Sequence, residues 1–294
     1  MKVLVIGSKG QVAQSLVEQS RGRANLELVA IGRPELDLEV PGSAASTIAT
    51  VGPDVVVNAA AYTAVDQAEA EPARAFRINS EAVSEIAAAT DGKARLVHLS
   101  TDYVFDGTAQ GPYTEEARPN PINIYGRSKL AGEDKARLAN PEGIILRTSW
   151  VYGPFAANFV KTMMSAAEDN DRLRVVDDQF GCPTSSMDLA EGILRLIEVS
   201  SIGRGAMLRH TYHLAGTGSA SWFVFAQAIM DERRKRGLKT AVVEPIRSSQ
   251  WQTRAKRPRN SVLSSMKFEG TFGYRIPEWR TSLPQVIGRL VNEA

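Results

Sequence analysis

The chain is poor in the residues that staple or metallate a protein: 294 residues include one cysteine and three histidines. A single thiol, Cys182, excludes an internal disulfide and a thiolate-only metal cage. His98, His210 and His213 read as strand residues with a satisfied ring nitrogen, which argues against a zinc hydrolase. Long apolar runs are also missing. No stretch approaches the roughly 20 residues of a membrane span, and the chain opens into a strand pattern rather than a signal-peptide core, so no membrane partner and a cytoplasmic location are expected. Charge of one sign is scarce as well: 35 Lys and Arg face 33 Asp and Glu, a net +2 too small for a nucleic-acid partner. Of two basic clusters, Arg233, Arg234, Lys235 and Arg236 read as a solvated helix end. Arg254, Lys256, Arg257 and Arg259 lie in a proline-containing loop that reads either as plain surface or as a diphosphate contact. No repeat or low-complexity segment is present. The remaining composition, 43% hydrophobic and 23% charged, is that of an ordinary globular chain long enough for one large or two small domains.

What is there begins at the N-terminus. Lys2, Val3, Leu4, Val5 and Ile6 form a short apolar run with the look of a buried parallel strand, followed by Gly7-Ser8-Lys9-Gly10-Gln11-Val12-Ala13. Gly7 permits a tight turn, Gly10 admits close approach of a pyrophosphate, and the small Ala13 lets the next helix pack near the sheet with its N-terminus toward the phosphates. Alone, such a turn suits a plain strand–helix connection as well as a dinucleotide. Further strand-like runs at 26–31, 55–58, 95–99 and 144–147 alternate with helical segments such as 73–90 and 125–138. That alternation predicts an α/β fold, a Rossmann-type doubly wound parallel sheet with helices on both faces. Right-handed crossovers then bring segments 7–10, 58–62, 100–102 and 148–150 to one edge. Residues 1–150 read as the dinucleotide-binding domain. Residues 151–294, with a helix at 158–168, a strand at 173–176, a helix at 187–199 and a mixed end, read mainly as a smaller C-terminal substrate lobe with segments returning to the main sheet.

Tyr125 and Lys129 stand four residues apart, with Thr101 upstream at a strand end. On a helix that spacing puts phenol and ammonium on one face, where the cation favours phenolate and brings the tyrosine pKa toward neutrality. A tuned proton donor beside a carbonyl site is the expectation.

These runs together, with 58–66, 99–107, 147–153, 178–184 and 257–261, resemble the extended short-chain dehydrogenase/reductase family, in the branch that reduces dTDP-linked 4-keto sugars. The resemblance covers almost the whole chain. It implies NADPH-dependent reduction of the C4 ketone of dTDP-4-dehydro-L-rhamnose, with Tyr125 as proton donor, Lys129 as its tuner and a ligand of the nicotinamide ribose, and Thr101 bonded to the same sugar oxygen. Gly7, Gly10, Gln11, Val12, Ala59, Ala60, Ala61 and Tyr62 would join Tyr125 and Lys129 around the cofactor. Val65, Asp66, Asp102 and Trp150 would line the sugar pocket beside Thr101; Asn158, Lys161, Gln179, Pro183, Thr184 and Arg257 would sit nearer the nucleotide. Bland readings stand beside these: Trp150 as core, Asp66 as a helix cap, Thr101 as a strand end, Asn58 as a satisfied buried amide. The second strand ends in Gly32-Arg33 without the acid that takes the ribose hydroxyls of NAD, which favours NADPH through Arg33 and leaves NADH possible. Asp37 and Leu38 would flank the adenine.

Two departures stand out. Ala13 replaces a third glycine. Ser15 occupies a place where some family members carry a glutamate of a magnesium-bridged dimer, so no metal and a monomer or weak homodimer are expected, despite carboxylates at Glu191 and Glu293. Competing readings are another nucleotide-sugar reductase, epimerase or dehydratase, and a non-catalytic regulatory subunit similar to that of methionine adenosyltransferase. The dehydratase pattern calls for a second acid after Asp102, where Tyr103 stands.

Overall fold

The structure, a computed structural model, describes residues 1–200 and 211–292. In the first half, β1 (Lys2–Ile6), β2 (Glu27–Ile31), β3 (Val55–Asn58), β4 (Arg95–Thr101) and β5 (Ile144–Thr148) are connected through α1 (Gln11–Gln19), α2 (Ser43–Val51), α3 (Val65–Ala68), α4 (Pro72–Phe76), α5 (Ala82–Thr90) and α6 (Ile124–Ala139). Beyond them come β6 (Val151–Tyr152), β7 (Arg172–Val176), β8 (Phe180–Gly181), β9 (Thr184–Ser185), β10 (Thr211–His213), β11 (Ala220–Ser221) and β12 (Val242–Ile246). The accompanying helices are α7 (Phe159–Asp169), α8 (Ser186–Ser200), α9 (Trp222–Lys235), α10 (Met266–Phe272) and α11 (Trp279–Asn292).

Six strands form the main sheet in the order β10-β5-β4-β3-β1-β2, every neighbouring pair parallel. The β-branched runs are uninterrupted because both faces are covered. Val3, Val5, Val55, Val57, Val97 and Leu99 pack against α1, α8 and α10 on one face, while Leu4, Ile6, Val56 and Leu96 pack against α2, α5 and α6 on the other. The order reverses between β1 and β3, where open sheets of this kind place a ligand crevice at the strand carboxyl ends. β10 comes from the second half of the chain to pair with β5.

The smaller lobe has its own core, in which Tyr152, Phe225, Ile229, Trp279 and Leu283 meet between α7, α9 and α11. Its strands form three two-stranded pieces, β7 with β12, β6 with β9, and β8 with β11. The helix expected over 73–90 is divided: a π-helical turn at Arg77–Glu81 separates α4 from α5. His98 and His213 each have Nδ1 partnered, to the Asn58 amide at 3.1 Å and the Tyr113 carbonyl at 3.2 Å, and Nε2 buried without a partner among the described residues. His210 and Glu293 lie outside the described residues. Among the described residues no helix is long and apolar enough to cross a membrane.

Candidate active site

A cavity of about 920 Å³ opens at the strand carboxyl ends, and the glycine turn after β1 forms one of its walls. Gly7 has φ 107°, a conformation glycine alone adopts freely, and a Cβ there would meet Ala60 at 3.4 Å. At Gly10, which directly precedes α1, a Cβ would meet nothing within 4 Å, so the backbone faces open space. Ser8, Lys9, Gln11 and Val12 complete this wall; Arg33, Asp37 and Leu38 line the end nearest β2, and Ala59, Ala60, Ala61 and Tyr62 the stretch after β3. The Arg33 guanidinium lies 3.7 Å from Glu39, which Arg74 also holds at 2.7 Å.

The reacting end is built on α6 and β4. Asn123 caps α6 by accepting the Gly126 N–H at 2.7 Å, and Glu69 accepts the Ile124 N–H at 2.8 Å. Two caps fix the first turn, and with it Tyr125. Lys129, one turn on, is buried and donates from Nζ to the Leu99 carbonyl of β4 at 2.6 Å. At the end of β4, Thr101 Oγ1 accepts the Tyr103 N–H at 3.1 Å and donates to Asp102 at 3.0 Å, and its hydroxyl is near enough to the Tyr125 phenol to lower the phenol's pKa. The proposed trio therefore meets in one cavity.

Its electrostatics differ from the expectation. Burial pushes the Tyr125 phenol up to about 12 rather than toward neutrality, the Thr101 hydroxyl opposing the rise only in part. Burial likewise lowers Lys129 to about 8, with Glu133 opposing. Desolvation outweighs the cation, whose ammonium is bonded to a strand carbonyl. Asp102 is buried among hydroxyls, accepting from Thr101 and from Ser149 at 2.9 Å, and burial raises it to about 6.

Of the residues expected at the sugar, Val65, Thr101, Asp102 and Trp150 line the cavity. Trp150 has φ 45°, a strained backbone costing roughly 1–3 kcal/mol, and its indole stacks on Trp222. Seven other expected contacts lie off the wall. Asp66 does not cap α3; it accepts from the Ala255 N–H and pairs with Arg257 at 2.5 Å, so the two charges satisfy each other. Asn158 caps α7 through the Lys161 N–H, which places Lys161 in the first turn of that helix. Pro183 and Thr184 are buried, Thr184 bonding Cys182 and Gly216, and Gln179 lies between β7 and β8. Asn58 is a satisfied amide between His98 and Ala60.

Ser8, Lys9, Thr148 and Ser149, in the segments 7–10 and 148–150 expected at this edge, line the cavity, and so do Tyr103 and Trp222, to which no role was assigned from sequence. Position just after a strand could have found Tyr103. Trp222 carries no local motif. Two buried atoms of wall residues, Gln11 Oε1 and Thr148 Oγ1, have no partner among the described residues, as a site built for a polar ligand would leave them. Tyr103, at the place of a dehydratase's second acid, lines the cavity.

Comparison with known proteins adds the following. Residues 1–292 match the family described as the RmlD substrate binding domain. A dTDP-4-dehydrorhamnose reductase of Sinorhizobium fredii is 44% identical over 297 aligned residues, covering 100% of this chain and 99% of that protein. The crystal structure of such a reductase from Clostridium acetobutylicum superimposes with a TM-score of 0.90 at 37% identity, over 99% of this chain and 100% of that one. One from Bacillus anthracis, solved in complex with NADP, gives 0.88 at 33%, over 98% and 99%. A Thermus thermophilus UDP-glucose 4-epimerase, at 18% identity and a TM-score of 0.82 over both full chains, shares the fold.

Proposed function

The chain belongs to the RmlD substrate binding domain family, and from that membership we propose that it reduces the C4 ketone of dTDP-4-dehydro-L-rhamnose to dTDP-L-rhamnose with NADPH. The bound cofactor supplies the hydride. The turn Gly7–Gly10 and the N-terminus of α1 hold its diphosphate, Arg33 takes the adenosine side, and Lys129 holds the nicotinamide ribose.

Hydride arriving at C4 turns the ketone oxygen into an alkoxide, a stronger base than a phenolate. Tyr125, a neutral phenol at pH 7 whose pKa burial raises further to about 12, gives that oxygen its proton, a transfer that runs downhill. Thr101 hydrogen-bonds the same oxygen and keeps it beside the phenol. Lys129 keeps a positive charge near the phenolate left behind. Val65, Asp102 and Trp150 line the sugar end. A monomer or weak homodimer is part of this proposal, and it is supported by Ser15, buried against Ser186 at 2.8 Å where the resemblance places a carboxylate in metal-bridged relatives.

The observation that supports this most is the meeting of Tyr125, Lys129 and Thr101 in the cavity onto which the glycine turn opens. The test is NADPH oxidation with dTDP-4-keto sugars. Wild type is expected to turn over, and Tyr125→Phe to lose about a hundred- to ten-thousandfold in kcat with NADPH binding kept. Near wild-type turnover by the phenylalanine variant would sink the assignment.

A further inference from the structure

Trp150 is gripped from two sides by elements of the smaller lobe. Its ring lies on that of Trp222 with centroids 3.4 Å apart and planes 5° from parallel, overlaid rather than offset. A Cβ on Gly181 would come within 2.3 Å of the same indole. The stacked ring fills one face, so the Gly181 backbone meets the other. Both jaws belong to one small unit. β8 and β11 pair antiparallel with Ala220 opposite Gly181 and Ser221 opposite Phe180, so the chain leaving β11 enters α9 at Trp222 beside the glycine. Ser221 secures that entry by accepting the Val224 N–H at 3.1 Å and donating to Asp177 at 2.5 Å, and Phe159 leans on Trp222 at 4.6 Å.

We propose that Gly181 and Trp222 are positioning residues for the sugar: they clamp Trp150 so that its indole stands as a fixed wall for a nucleotide-linked 4-keto sugar. This rests on the function proposed above. An indole on a cavity wall that is free to turn must be ordered when substrate binds, and the clamp meets that cost during folding. The geometry also asks for glycine at 181, since any side chain there would displace the ring.

Steady-state kinetics of NADPH oxidation on wild type, Trp222→Ala, Trp222→Phe and Gly181→Ala test the idea. Trp222→Ala and Gly181→Ala are expected to raise the KM for the 4-keto sugar about three- to tenfold, with kcat nearly kept and NADPH affinity unchanged; Trp222→Phe, which keeps a stacking ring, is expected to restore most of the loss. Two overlaid indoles also couple optically, so wild type should show a tryptophan circular-dichroism couplet that Trp222→Ala abolishes. Should Trp222→Ala fail to bind NADPH for want of folding, the KM of Gly181→Ala decides. Unchanged KM in the folded variants, a loss confined to kcat, or a wild type without the couplet overturns the clamp. A wild type that turns over no 4-keto sugar instead sinks the function itself, and with it the sugar this wall would hold.

Discussion

Tyr125 keeps its proton to about pH 12 because burial disfavours phenolate, and Asp102 keeps its own to about pH 6 for the same reason. The second shift has a consequence for stability. The folded chain still holds the Asp102 proton in an interval where the unfolded chain, with an acid of ordinary strength near 4, has released it. Stability from this group is therefore full at low pH and is lost as the pH climbs from about 4 through about 6, by on the order of 3 kcal/mol in all. Denaturant unfolding of wild type and Asp102→Asn at pH 4.5 and pH 7.5 should show the wild type losing more across that interval; parallel curves would refute it. Arg33 makes a different prediction. It is largely exposed, its guanidinium 3.7 Å from Glu39, so Arg33→Ala should weaken NADPH about three- to tenfold and leave NADH alone. Titration of both cofactors reads this, and an unchanged preference removes Arg33 from the role. At this scale the meeting of Tyr125, Lys129 and Thr101 in one cavity was legible because helix spacing and a strand end are local facts. The direction of the Tyr125 shift was not, because desolvation depends on what the rest of the chain lays over the phenol. Nor was the Asp66–Arg257 pair, whose members lie far apart in sequence and are joined by folding alone.

The helix that carries Tyr125 is seated through its glycines. A Cβ at Gly132 would stand 2.0 Å from the Asn79 carbonyl, and one at Gly126 2.1 Å from that of Tyr103. Asn79 belongs to the π-helical turn between α4 and α5; its amide donates to the Tyr62 carbonyl and Ser128, and its Oδ1 accepts the Tyr62 N–H. Close seating of α6 and the shape of the 59–62 wall are therefore one contact. Gly132→Ala should cost about 1–3 kcal/mol in unfolding free energy and should weaken NADPH through Tyr62; a melt and a cofactor titration at wild-type values would show that the two helices yield freely. Strands β1, β3, β4 and β5 were legible within a few residues because burial on both faces leaves an uninterrupted apolar run. The π-helical turn was not, since one extra residue per turn shifts apolar positions too little to disturb the pattern. Two-residue strands such as β8 and β11 leave no period to read, which is why Trp222 went unassigned.

On the scale of the whole molecule, the surface around Ser15 is closed by side chains of the chain itself. Ser15 donates to Ser186, while Glu191 is held by Arg23 and by Arg195 at 3.0 Å, and Arg23 also takes Glu198. Sedimentation and activity are therefore expected to be the same in magnesium and in chelator, and a magnesium-dependent dimer would contradict the pairing. The parallel sheet and the crevice at its strand ends were legible from the alternation of strand and helix runs. The return of β10 to β5 was not legible, because three residues pairing with a strand far upstream leave no pattern of their own. That return also orders events at the ribosome. Thr211, Tyr212 and His213 cover the outer edge of β5, opposite Ile145, Leu146 and Arg147, yet they are synthesised long after the other five strands of the main sheet. A nascent chain thus carries an apolar sheet with a bare edge until its last third emerges, and a slow or interrupted translation lengthens the time in which two such chains can zip together.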